Sequence, residues 1–506
     1  MNPHPPVRWQ KVRFPALGRA VAAISREGKH PQIQPAAQIQ STAQLKEKAM
    51  PSSRRRRSSV VLTAALSALA LSLAACTPGS GSNNESPAAD PNRAVETDVA
   101  AMGEQTLTVW DQEVRGGQNE QMTQLNEAFM AKYPNITIDR NSQSFDDLAT
   151  TLRLALSGDD APDVVEANNG RNAMGDFVAA GQLLPLDPWS EEYGWADRYP
   201  DSVLQYSQYS EDGKTFGSGN LYGLPQVGEV VGVFYSKPKL AELGLEVPGD
   251  WSGFEAAMKT AKDAGETPLL LGNIEKWPAL HVFGPVQGSL VSTEDVEKLG
   301  FGNAGASWTT PENEEAAQKL ADWQSNGYFN DGVNGTDYDA AWQSLAAGDG
   351  VFLMGGSWLA ADLQDAMGDD VGFFVPADAA GEAPKTTGGT GLPFTVTSES
   401  ENPDLAAAYI DFITSDEAMA ILAETGNLPV VDTQKYAPES GVLKDVYSEF
   451  GSVSADGALL PYLDYATPTM ADTMGEALQG VLDGRTSPQE FTEALEADYA
   501  EFTNAG

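Results

Sequence analysis

The chain has 506 residues, with 31 Lys+Arg against 72 Asp+Glu, a net charge of −41 with His neutral, and one cysteine, Cys76. So acidic a surface repels phosphate backbones and anionic lipid heads, which excludes nucleic acid as a partner and leaves no polybasic patch for a membrane. A lone cysteine excludes a disulfide within the chain. Only one of the three histidines, His281, lies beyond residue 76, so a His-rich metal site has no ligands and a Ser/His/Asp centre depends on one residue.

Residues 1–49 are polar and proline-rich, an unusual preface to the basic run Arg54–Arg57 and the apolar stretch from Val60 to Ala75. Met50 is the more natural start, and residues 1–75 read as an over-called N-terminus followed by a secretory signal: basic end, apolar core, small residues Ala74 and Ala75 at the cleavage site. As a membrane-spanning helix the stretch is short, sixteen residues where a bilayer needs roughly 20. Leu73-Ala74-Ala75-Cys76 resembles the bacterial lipobox. That resemblance implies that Cys76 is lipidated (palmitate) and becomes the mature N-terminus, tethering the protein to the extracytoplasmic face of the cell membrane. Loss of the first 75 residues removes twelve basic and two acidic side chains, leaving 19 against 70 and a net −51. About 430 residues then remain, enough for two domains, with no further stretch apolar enough to span a membrane.

Residues 76–104 have the Ser, Gly, Pro, Asn and Ala composition of a flexible tether, with an end-to-end distance of roughly 30 Å. Order begins with the strand Leu107–Trp110, followed by a helix in which Met122, Leu125, Phe129 and Met130 recur at helical spacing. The strand Ile136–Ile138, a helix over Phe145–Leu156, the strand Asp163–Glu166 and a helix around Met174–Ala180 come next. Strands separated by helices predict a parallel α/β sheet, whose ligands bind beyond the carboxyl ends of the strands. Here those ends are Trp110-Asp111-Gln112-Glu113 and Glu166-Ala167-Asn168-Asn169-Gly170. The strand Val230–Tyr235, the helix Trp251–Ala264 and the strand Pro268–Leu271 restart the alternation and suggest a second lobe. It continues through the helix Ala316–Trp323, the strand Val351–Met354, the helix Trp358–Met367 and the strand Val371–Val375. After the glycine-rich Thr386–Gly391 come the strand Phe394–Thr397, helices over Pro403–Thr414 and Ser415–Thr425, and a mostly helical end from Thr469.

Four stretches, in order behind a lipobox, make the part from about 105 to 500 resemble the extracellular solute-binding proteins of ABC importers, in the sugar-binding group like maltose-binding protein. They are Leu107–Trp110 with Phe129–Pro134 and Ile136–Ile138; Val233-Phe-Tyr-Ser-Lys237 with Leu243-Gly244 and Pro248–Phe254; Gly348–Trp358, ending in Gly-x-Trp; and Asn402–Tyr409 with Ile410–Glu417. The resemblance implies a two-lobed, periplasmic-binding-protein-like α/β fold with a hinge and an interlobe cleft. Lobe one would hold 105–225 and 390–440, and lobe two 226–389 and 441–506. It implies a monomer that captures a carbohydrate, an oligosaccharide first among the solutes, and delivers it to the transmembrane subunits of a permease. Its membrane contact would be the lipid anchor alone, with no enzyme activity, cofactor or metal.

A sugar offers C–H faces and hydroxyl edges, so its site needs flat aromatic surfaces rimmed by amides and carboxylates. Trp110 at a strand end and Trp358 after two glycines are candidates, with core packing as the other reading of each. Trp277 and Trp342 are further candidates that also fit a helix face. Asp111, Glu113, Glu166 and Asn168 are the polar candidates at the strand ends. Gly389 joins them from the run Gly388, Gly389, Gly391, which lacks the Lys-Ser/Thr of a phosphate loop and reads as a hinge or close-packed strand. Asp331, Asn334, Asp337 and Asp339 lack the terminal glutamate of a calcium loop and read as a solvated loop. The competing function is a secreted glycoside hydrolase, which needs two carboxylates flanking one bond; a surface adhesin would have no cleft at all.

Overall fold

The computed structural model describes residues 94–158, 161–379, 382–455 and 458–504. Cys76, the signal segment and most of the tether lie outside the described residues.

The first lobe is built on Gln105–Asp111. It pairs in parallel with Ile136–Ser142, Gln105 opposite Ile136 through Asp111 opposite Ser142, and on its other side with Val164–Glu166. The helices Gly116–Lys132 and Phe145–Ala155 make the crossovers. Strand alternation turns Leu107 and Val109 inward, against Met122, Leu125 and Phe129 of the first helix. The second crossover helix starts where Ser144 accepts a hydrogen bond from Asp147 N at 3.2 Å, satisfying one of the free donors of its first turn. A fourth strand, Phe394–Val396, adds antiparallel to Val164–Glu166.

The second lobe is built on Gly228–Ser236, an apolar run buried on both faces. Val233 faces a core with Phe254, Phe283, Leu320 and Phe491, while its neighbour Phe234 faces another with Leu345, Leu363 and Tyr447. The sheet is mixed, unlike the parallel form that its strand and helix alternation suggests. Leu269–Leu270 and Phe352–Gly356 do run parallel. Gly228–Ser236, entering from the first lobe, runs against Phe352–Gly356 on one side and against Thr386–Thr390 and Val371–Phe374 on the other. The glycine-rich stretch is thus itself a buried strand.

Residues 224–228, 390–394 and 428–430 join the two sheets and lie side by side. Leu224 and Phe394 exchange both backbone hydrogen bonds at 3.0 and 3.1 Å, Gly391 N donates to Val227 O at 3.0 Å, Gly228 N to Leu428 O at 2.8 Å, and Val430 N to Gln226 O at 3.1 Å. The approach at Gly391 is close enough that a Cβ there would stand 2.3 Å from Val227 Cγ2.

Two elements depart locally from the sequence pattern. The helix around Met174 opens as a π-type turn, Arg171–Gly175, before Asp176–Ala179. Arg171 is buried there, donating to the carbonyls of Lys214 at 2.6 Å and Phe301 at 3.0 Å. Leu280–Gly288 is a helix that periodicity misses, because nearly every residue in it is buried and no polar stripe marks a face.

Candidate functional site

Beyond the carboxyl ends of the first sheet lies a cavity of about 300 Å³. Gln112 and Asn168 reach it from the two strand ends, Phe145 and Asp146 from the first turn of a crossover helix, and Asn172 from the π-type turn. The facing wall comes from the second lobe: Glu229, Glu275, Trp277, His281, Trp358, Tyr462, Asp464 and Tyr465.

The aromatic residues form a connected wall. Trp277, Trp358 and Tyr462 surround the imidazole of His281 at ring separations of 5.5, 5.1 and 5.3 Å, and Phe145 meets Trp277 edge-on at 6.0 Å from the other lobe. Burial among these rings pushes His281 down to about 3, so it stays neutral. Trp277 is aimed by a strained turn. Lys276 sits at φ 70°, ψ −43°, and Trp277 N donates to Glu275 O across it at 2.9 Å. This is the positive-φ γ-turn, unfavourable for a residue with a Cβ and held only where its surroundings enforce it. Trp358 is pinned by its indole N–H, which donates to Tyr338 Oη at 2.7 Å. A Cβ on Gly356 would lie 2.0 Å from that indole. The glycine therefore makes room for the tryptophan ring itself, rather than for a ligand against the backbone.

The polar groups are mostly acceptors. Asn168 Oδ1 and Asn172 Oδ1 are buried with no protein donor. Glu229 accepts one hydrogen bond, from Tyr462 Oη at 3.0 Å, and burial pushes its carboxyl up to about 8. Burial likewise lifts Asp464 to about 6, while Glu275 rises to about 7 through burial, with Asp337 beside it. Arg115 reaches across the lobes, its guanidinium 2.6 Å from Asp339 Oδ1 and 5.6 Å from the ring centre of Tyr338.

Of the residues named from sequence, Asn168, Trp277 and Trp358 line this cavity. The others stand elsewhere. Trp110 is half-buried against the cluster around Met174, Tyr206 and Tyr209. Asp111 is fully buried in a two-pronged pair with Arg140, at 2.6 and 2.8 Å. Glu113 and Glu166 are buried beside it, Glu166 accepting from the backbone N–H of Gln112 at 2.7 Å. Trp342 donates to Asp339 Oδ1 at 3.2 Å and packs on the second-lobe core. Gly389, at φ 145°, borders a separate cavity of about 680 Å³ with Tyr206 and Thr390. Among the acid-rich loop residues, Asp337 caps the helix Tyr338–Ala347 and Asn334 donates to Gln479 O and Asp483. No group of three or more His, Cys, Asp or Glu among the described residues is placed to hold a metal. The signals for the residues missed were modest: Glu229 is a charge at the mouth of an apolar strand, and His281 is the one histidine of the folded part.

Residues 116–420, more than half of the chain, match the family described as bacterial extracellular solute-binding protein. The chain belongs to this family. It is 23% identical over 377 residues to the multiple sugar-binding protein of Streptococcus mutans, an alignment spanning 70% of this chain and 83% of that one. An uncharacterized ABC transporter extracellular-binding protein of Pyrococcus horikoshii is 24% identical over 264 residues, 50% of this chain and 56% of its own length. Among solved structures, a chitin oligosaccharide binding protein superposes with a TM-score of 0.68 at 22% identity, over 79% of this chain and 99% of that one. A solute-binding protein in complex with raffinose does so at 0.63 and 18%, over 79% and 99%. Solute-binding proteins of ABC transporters are not enzymes, which overturns the glycoside hydrolase. No helix among the described residues is long and apolar enough to cross a membrane.

Proposed function

We propose that this solute-binding protein captures a carbohydrate, an oligosaccharide in the first instance, and delivers it to the transmembrane subunits of an ABC permease, as a monomer held to the outer face of the cell membrane by lipid on Cys76. The observation that carries the sugar is the wall formed by Trp277, His281, Trp358 and Tyr462 facing the side chains of Gln112, Asn168 and Asn172. Stacking faces serve the C–H surfaces of a sugar and the amide oxygens take its hydroxyl protons. The relatives named for multiple sugars, chitin oligosaccharide and raffinose support the same class.

We assign 105–225 and 390–440 to one lobe and 226–389 and 441–506 to the other. The cavity then draws on both, and a ligand that touches both favours the closed arrangement by its differential contacts, shifting the equilibrium toward the shape a permease reads. A thermal-shift screen of the purified protein against mono-, di- and oligosaccharides tests this. A ligand at a hundred times its dissociation constant adds about 2.7 kcal/mol, and the sugar is expected back intact. Absence of any shift across the screen takes away the sugar. Cys76→Ser is expected to move the protein from the membrane fraction to the medium, and retention on the membrane would overturn the anchor.

A further inference from the structure

The charge lining the cavity is one-sided. Besides His281 and the tyrosines, its ionisable side chains are two cations, Arg115 and Lys276, and five carboxyl groups, those of Asp146, Glu229, Glu275, Asp464 and Asp472. Both cations already have partners outside the lining: Arg115 pairs with Asp339 at 2.6 Å and Lys276 with Glu476 at 3.1 Å. Among the described residues, none of the five lining carboxyl groups has a basic side chain within ion-pair distance.

Glu229 and Asp464 meet at Tyr462: Glu229 accepts a hydrogen bond from its hydroxyl at 3.0 Å, and Asp464 follows it two residues along the chain in the same cavity lining. Taking a carboxylate from water without a compensating cation is costly, and such groups neutralise instead. The upward displacement of both carboxyl groups has that cause. Two further acceptors, Asn168 Oδ1 and Asn172 Oδ1, stand buried and unfilled by any protein donor in the same cavity. Surplus acceptors, uncompensated acids and aromatic faces together describe a place for a cation that also donates hydrogen bonds.

We propose that the sugar taken by this cleft carries a protonated amine, an amino sugar or its oligomer, with the ammonium seated against Glu229 and Asp464 beside the ring of Tyr462. This rests on the carbohydrate reading above and narrows it: an ammonium supplies the cation that draws these carboxyl groups back to their charged form, which a uronic acid or a sugar phosphate does not.

Calorimetry on the purified protein near neutral pH tests it with sugars matched in linkage: the β-1,4 trimer of glucosamine, its fully N-acetylated form, and cellotriose, with maltotriose and raffinose as neutral sugars of other linkages. A charge-assisted contact predicts that the amine trimer binds about tenfold or more tighter than either matched neutral trimer. The advantage is expected to vanish in Glu229→Gln combined with Asp464→Asn, a pair that can no longer ionise against the ammonium but keeps its shape. The comparison on the unaltered protein stands even if that variant fails to fold. If any neutral sugar binds as tightly as the amine or better, the inference falls and the carbohydrate reading stands. If no sugar of the set binds, both fall.

Discussion

At the end of the first strand three carboxyl groups share one guanidinium. Arg140 is committed to Asp111, and Glu113 and Glu166 lie buried beside it, with Glu113 Oε2 given no donor by the protein. Burial, with the charge of Asp111 beside it, pushes Glu113 from 4.5 up to about 7, and burial lifts Glu166 as well, with the Glu113 charge adding to it. A group raised in the folded state binds its proton more tightly there than in the unfolded chain. Its contribution to stability is therefore complete below the unfolded value and is lost as pH rises through the folded one. The melting temperature is expected to fall between about pH 5 and pH 8, with Glu229 acting in the same direction. Glu166→Gln keeps an acceptor for Gln112 N and a donor for Glu113, so a melting series against pH should show a flatter profile and a higher value at the alkaline end. An unchanged slope would mean that these acids are not what titrates. On the cavity side, Trp277→Ala removes the ring that the strained Lys276 turn presents. The loss of affinity expected by calorimetry is about tenfold or more, the size seen for a buried aromatic anchor.

The elements that join the lobes leave little room for added bulk. Gly391→Val would drive a branched side chain into Val227 and part the hydrogen bond between Gly391 N and Val227 O. Urea unfolding is expected to show a loss of about 1–3 kcal/mol, as for overpacking elsewhere. The first three strands and the helices between them are legible in the sequence, because strand and helix periods alternate cleanly there. Their carboxyl ends are the loops from which Gln112 and Asn168 face the cavity. The same alternation carries the reason that Asp111 and Glu113 point elsewhere: with Leu107 and Val109 inward, every second residue after them turns inward too. What periodicity does not carry is the opposite wall. Glu229, Trp277, Trp358 and Tyr462 come from four separate stretches brought together by the mixed sheet and by a γ-turn that sequence does not announce. Leu280–Gly288 was hidden for a different reason, burial on every side.

Across the whole molecule, one ion pair that spans the lobes is Arg115 with Asp339, whose side chains are 22% and 50% exposed. A pair this open contributes about 0.2–1 kcal/mol. Arg115→Ala is thus expected to lower ligand affinity by up to about fivefold and to leave the unliganded protein more open, read as a larger radius of gyration in small-angle scattering. Saturating sugar should shrink that radius in the unaltered protein. An equal radius with and without ligand would argue against closure as the signal.

The strand that completes the first sheet, Phe394–Val396, is made long after the strand it covers, Val164–Glu166, with the larger segment of the second lobe, 226–389, synthesised between them. During synthesis the opening βαβ unit therefore has an uncovered edge and lacks the late helix Pro403–Ile413 that closes its core. Because a domain folds as a unit, the first lobe cannot complete its core until Phe394–Ile413 has been made. For a member of an extracellular solute-binding family, the same discontinuity that supplies a hinge leaves the first lobe unfinished until late in synthesis.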